Sequence, residues 1–125
     1  MKTIISTDKA PAAIGPYSQA ILVGNTLYIS GQIPIDPATG AFASENIEAQ
    51  TRQSLDNIGA ILAKAGFGFE DVVKTTVMLA NIEDFAAMNG VYSEYFKANP
   101  PARSAFAVKA LPRGALVEIE AVAAR

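Results

Sequence analysis

Val72-Val73-Lys74-Thr75-Thr76-Val77-Met78-Leu79-Ala80 is the stretch that decides the fold of this 125-residue chain. β-Branched residues dominate it, and apolar side chains fall on both of its alternating faces, the pattern of an interior strand. On its N-terminal side, Ile47, Thr51, Leu55, Ile58 and Leu62 recur at helical spacing. Ser44 or Asn46 serves as the cap there, Glu45 and Glu48 sit near the positive end, and Lys64 with Gly66 closes the helix. On its C-terminal side, Asn81 and Asp84 have the form of a capped start. The stripe Ile82, Phe85, Asn89, Tyr92, Phe96 then predicts a second helix, ending before Pro100-Pro101.

Further out, residues 18–23 and 26–30 read as a hairpin turning through Gly24-Asn25. Residues 31–43 carry Pro34, Pro37 and Gly40 and read as a long loop with a tight turn at Asp36-Pro37-Ala38-Thr39-Gly40. Residues 103–108 and 116–123 are two last strands, separated by a turn around Pro112-Arg113-Gly114. The order is β-β-α-β-α-β-β within a single domain, 1–125. It predicts an α+β fold, a mixed sheet with both helices on one face. The other face is then short of cover, because Ile21 stands against Leu22, Val77 against Met78 and Leu116 against Val117. Copies of the same chain, packed sheet against sheet, would cover it; a monomer folding its long loop across that face is the alternative.

Composition removes whole classes of chemistry. The chain has no histidine and no cysteine, so it offers no thiolate nucleophile, no Cys or His zinc site and no Ser-His-Asp relay. An enzyme built from what remains needs a substrate that is already reactive and has only to be oriented and supplied with water. Half the residues are apolar and the net charge is -2, which offers no attraction to nucleic acid or anionic lipid. With no signal-peptide pattern and no apolar run of about 18 residues, a cytoplasmic location is expected.

Arg103 opens a strand on which its same-face neighbours are only Ala105 and Ala107. Such a recess suits a planar carboxylate gripped by two parallel hydrogen bonds, although an ion pair with a neighbouring acid would satisfy the same cation. Glu118 and Glu120 lie two apart on the last strand, hence on one face: either an exposed face, or a cleft in which one of them becomes a proton acceptor. Asn89 interrupts the apolar stripe of the second helix, and Gly90 follows it. Both suggest either close approach of a ligand or backbone, or local packing. Gly15-Pro16 is a rigid turn that can present the Tyr17 phenol at a rim, and Ser30-Gly31 sets a hydroxyl beside a backbone N–H.

Six segments occur together: Ala10-Pro-Ala-Ala-Ile-Gly-Pro-Tyr-Ser-Gln-Ala20, Ser30-Gly-Gln-Ile-Pro34, Arg52-Gln-Ser-Leu-Asp-Asn-Ile58, Val73-Lys-Thr-Thr-Val77, Pro101-Ala-Arg-Ser104 and Val117-Glu-Ile-Glu-Ala121. In this order and spacing they closely resemble the Rid (YjgF-type) family, most of all its RidA subgroup of 2-iminobutanoate/2-iminopropanoate deaminases. The resemblance implies a chorismate-mutase-like fold, a homotrimer with clefts between subunits, and a small 2-imino or 2-keto acid as ligand. No cofactor, metal, nucleic acid or membrane is implied. It assigns carboxylate binding to Arg103 and the water-activating acid to Glu118. Tyr17, Ser30, Gly31, Asn89 and Ala105 match positions lining the cleft, Ala105 standing where relatives often carry cysteine. The rival readings are a non-catalytic 2-keto-acid-binding or chaperone-like protein, and an endoribonuclease or translation inhibitor, against which the absence of histidine and of a basic aromatic-rich patch counts.

Overall fold

The computed structural model describes Met1–Arg125. Its strands are β1 (Lys2–Ile5), β2 (Ala20–Val23), β3 (Thr26–Gln32), β4 (Ile35–Asp36), β5 (Ala41–Phe42), β6 (Val72–Leu79), β7 (Ala102–Ala107) and β8 (Val117–Ala124), and its helices α1 (Ile47–Ala65) and α2 (Phe85–Tyr95). The interior strand is β6, antiparallel to β8 on one side and parallel to β7 on the other. The six-stranded sheet runs β1-β2-β3-β8-β6-β7. The parallel pair is joined through α2, as a parallel connection requires a crossover.

Alternation along β8 shows how the sheet is used. Val117, Ile119, Ala121 and Ala123 are buried in one core with Leu55, Ile58, Ile61 and Leu62 of α1 and Met88 and Tyr92 of α2. Both helices therefore lie on one face. The opposite face carries Glu118 and Glu120, and Ile4, Val23, Tyr28 and Phe106 are left exposed on it by the register of their strands.

The α1 stripe is buried throughout, from Ile47 to Leu62. Asn46 is its cap, its side chain accepting from the Ala49 N–H at 2.7 Å, while the Ser44 hydroxyl accepts only from the Asn46 N–H and caps no helical residue. Gly66 closes the helix in the left-handed region at φ 82°. Asn46→Ala should lower stability by about 1 kcal/mol, read as a lower urea midpoint with an unchanged m-value.

The element order needs three corrections. β1 was not expected; it is a short edge strand paired on one side only, with β2. The segment read as a long loop contains a two-stranded ribbon, β4 with β5, closed by the tight turn in which the Gly40 N–H bonds to the Asp36 carbonyl. The second helix begins not at a side-chain cap but through a 3-10 turn, Ile82–Asp84, and neither Asn81 nor Asp84 makes a capping bond with its side chain. No helix is long and apolar enough to cross a membrane.

Candidate active site

Ser30 and Gly31 form a bulge in β3. Ile29 pairs with Ala121 and Gln32 with Ile119, so three steps along β3 match two along β8. The strand thus runs past Gly31 to Gln32 rather than ending there. The bulge is held from three directions: Ser30 Oγ donates to the Ser18 carbonyl at 2.6 Å, the Ser30 N–H to the Gln19 carbonyl at 2.9 Å, and Gln32 Nε2 to the Ser30 carbonyl at 3.0 Å. Glu118 lies directly over it. A Cβ added at Gly31 would meet Glu118 Oε2 at 2.1 Å, so only glycine lets the carboxyl rest there.

Glu118 is half-buried and Glu120 exposed. Burial first, and the charge of Glu120 second, raise the Glu118 carboxyl above its ordinary pKa. Of the two glutamates the sequence left open, it is therefore Glu118 that has a proton acceptor's environment. A carboxyl whose native pKa exceeds its unfolded one contributes stability while protonated and loses that contribution as pH rises through the native value. Glu118→Gln should accordingly raise the thermal midpoint at pH 7 by on the order of 1–2 °C, a figure discounted for solvent screening. The gain should shrink towards pH 4; scanning calorimetry at the two pH values checks it.

Tyr17 is exposed at the rim, after Gly15 at φ 124°. With Ser30 it lines a depression of about 510 Å³, and with Gly31 a smaller one of about 290 Å³. Tyr17, Ser30, Gly31 and Glu118 therefore form one group.

Arg103 and Asn89 form another. Arg103 Nη1 donates to Asn89 Oδ1 at 2.7 Å, so the amide on the apolar stripe finds its partner in the arginine and no acid pairs with that arginine. The guanidinium stacks over Tyr92 at 4.8 Å and Phe85 at 5.4 Å, and Thr75 fixes the Tyr92 hydroxyl at 2.6 Å. In front of it lies a recess of about 400 Å³ walled by Ser93, Phe96, Pro100 and Pro101. Ala105 is the next residue on the same face of β7. In the sequence Tyr92 and Phe85 read only as members of the helix stripe; their place one turn to either side of Asn89 was the available signal of a role beneath the cation. Gly90 does not fit the expectation of close packing within the chain, since a Cβ there would meet nothing within 4 Å.

The two groups leave the sheet in opposite directions. Arg103 stands beside Thr75 and Glu118 beside Met78 on β6. An offset of three residues reverses the side-chain direction and, with β6 between them, puts their Cα atoms ~14 Å apart. Nowhere do three Asp or Glu residues gather as a metal site would need. The largest depression, about 650 Å³, holds no residue of either group; it lies under the segment from Ser6 to Ile14 and adjoins the smaller one that Tyr17 and Gly31 line.

Residues 7–125 match the family described as Endoribonuclease L-PSP. The chain is 55% identical over 123 residues to the human 2-iminobutanoate/2-iminopropanoate deaminase, covering 98% of this chain and 90% of that one. It is similar to the Rid-family protein YyfA of Yersinia pestis, with TM-score 0.97 and 52% identity over 100% of both chains. It is also similar to E. coli TdcF with bound serine, with TM-score 0.94 and 42% identity over 98% of both chains.

Proposed function

The chain belongs to the Endoribonuclease L-PSP family, in its RidA subgroup, and from that premise we propose that it hydrolyses short 2-imino acids to 2-keto acids and ammonia. The observation that carries the reading is Arg103: a guanidinium bonded to a neutral amide, stacked on Tyr92 and open to a recess. Such a cation is set for a substrate carboxylate. Serine held by a homologue supports a cleft of amino-acid size.

The protonated imine carbon is electrophilic enough to need no enzyme nucleophile, which suits a chain without histidine or cysteine. Arg103 clamps the carboxylate. Glu118 takes a proton from water as the oxygen adds to the imine carbon, giving a carbinolamine, passes that proton to the nitrogen, and then takes up the carbinolamine hydroxyl proton as the C–N bond breaks and the C=O forms. Imine and water thus become ketone and ammonia, with no redox change and no cofactor. The elevated Glu118 pKa makes the carboxyl competent in both directions. Tyr17, Ser30 and Gly31 bound the water side of the cleft, Asn89 and Ala105 the carboxylate side.

Because Arg103 and Glu118 leave opposite faces of one sheet, a working cleft takes the arginine from one copy and the glutamate from another. Exposed Ile4, Val23, Tyr28 and Phe106 supply apolar surface for that association. A closed ring in which each chain gives Arg103 to one neighbour and Glu118 to the next fits this arrangement, and a trimer is its smallest form. The family's description also names an endoribonuclease; a chain of net charge -2 with no histidine gives RNA cleavage little to work with.

The experiment couples a threonine dehydratase to this protein and follows 2-oxobutanoate formation while semicarbazide competes for the imine. Faster keto-acid formation, dependent on Arg103, is the expected result. An unchanged rate alongside tight keto-acid binding would replace the enzyme with a binding protein.

A further inference from the structure

The chain has four arginines. Arg52 holds Glu94 with both arms of its fork. Arg125 bonds the Gly66 carbonyl at the end of α1 and stacks over Phe67. Arg103 faces the recess described above. Arg113 remains: no carboxylate pairs with it, and its contacts are a 3.3 Å bond from Nη2 to the Gly40 carbonyl and the Phe42 ring at 5.6 Å. Most of its donor edge is uncommitted.

Its backbone is unusual too. Arg113 lies in the left-handed region at φ 58°, which L side chains adopt at a cost, and it is followed by Gly114 at φ 73°. Strain of this kind persists where the position of a side chain matters. Arg113 borders the largest depression of the molecule, about 650 Å³, whose walls include Ile14, Ile35 and Pro37 and which Asp8 also lines. Its size suits a small organic molecule.

We infer that this groove is a second ligand site, in which Arg113 grips the carboxylate of a short aliphatic monocarboxylic acid. One cation calls for one anionic group, and Asp8 repels a second. Ile14, Ile35 and Pro37 receive an aliphatic body rather than a sugar or a phosphate chain. The groove shares Pro11, Ala12, Ile14, Gln19, Ile35 and Arg113 with the smaller depression that reaches Tyr17 and Gly31. An occupant therefore bears on the segment that leads into Tyr17. A 2-keto acid has the required chemistry, so the product of the proposed reaction would report its own accumulation here. The site stands on its own geometry and does not require turnover.

Binding of 2-oxobutanoate, followed by calorimetry and by ligand-observed NMR, tests it on four proteins: wild type, Arg103→Ala, Arg113→Gly and the double variant. Glycine is the replacement of choice because it removes the guanidinium and also relieves the left-handed backbone, so the fold is kept or strengthened. Arg103→Ala should retain one keto acid per chain, and adding Arg113→Gly should weaken that remaining affinity at least tenfold without lowering the thermal midpoint. Succinate should bind Arg103→Ala more weakly than 2-oxobutanoate does, and Asp8→Asn should narrow the gap. Complete loss of binding in Arg103→Ala alone, or affinity within twofold in the double variant, overturns the site. Succinate binding as tightly as 2-oxobutanoate overturns the monocarboxylate assignment.

Discussion

Arg103→Ala should lower kcat/KM for imine hydrolysis by about 10²–10³-fold, the scale of removing one partner from a hydrogen-bonded charge pair in a desolvated site. Arg103→Lys should recover little, because an ammonium neither forks onto a carboxylate nor stacks as a plane over Tyr92 and Phe85. The loss should fall on chemistry more than on folding, since within the chain the guanidinium bonds only Asn89. Inactive Arg103→Ala protein, dissociated and reassembled with inactive Glu118→Gln protein, should regain part of the activity, because some clefts then pair an intact arginine with an intact glutamate. Mixtures that remain dead, with each variant folded and associated, would place both groups of a cleft in one chain, against the opposite directions they take from the sheet.

Gly31→Ala should cost at least tenfold in kcat/KM through a residue that bears no chemistry. Its new methyl would fall 2.1 Å from Glu118 Oε2, a contact no carbon and oxygen sustain, so the carboxyl must swing off the bulge. Leaving its half-buried seat, Glu118 loses the burial that raises its pKa, and the acid limb of the pH–rate profile should move to lower pH. In a Glu118→Gln background the same substitution should add less than a twofold loss, since the group it displaces is already disabled. Full additivity would assign the Gly31 effect to the sheet rather than to Glu118.

The legible parts of this protein are those governed by local spacing. Ile47 to Leu62 announce α1, Gly24-Asn25 announces its hairpin, and the alternation of β8 puts Glu118 and Glu120 together. Elements that depend on partners far along the chain were not legible. β1 has no distinctive pattern and exists because β2 offers it an edge. β4 and β5 are two residues each, too short for a period to register. Asn81 and Asp84 have the chemistry of caps, but a 3-10 turn enters α2 and leaves their side chains unused. The same division runs through the candidate site. Arg103 and Asn89 each stood out alone, one for its small neighbours and the other for its place on an apolar stripe, yet nothing local joined them. Spacing alone left Glu118 and Glu120 equivalent and only the family resemblance favoured Glu118; the difference in their surroundings comes from the Ser30–Gly31 bulge, which arises from how β3 registers on a strand some ninety residues later.

In the proposed ring, each newly synthesised chain first carries Ile4, Val23, Tyr28 and Phe106 bare on its sheet. Under that assembly, a chain not yet joined by another copy is a sticky, orphaned intermediate, exposed to proteolysis and to clumping. Cellular abundance of the mature protein should therefore climb more steeply than its rate of translation, with scarce chains cleared before they find company.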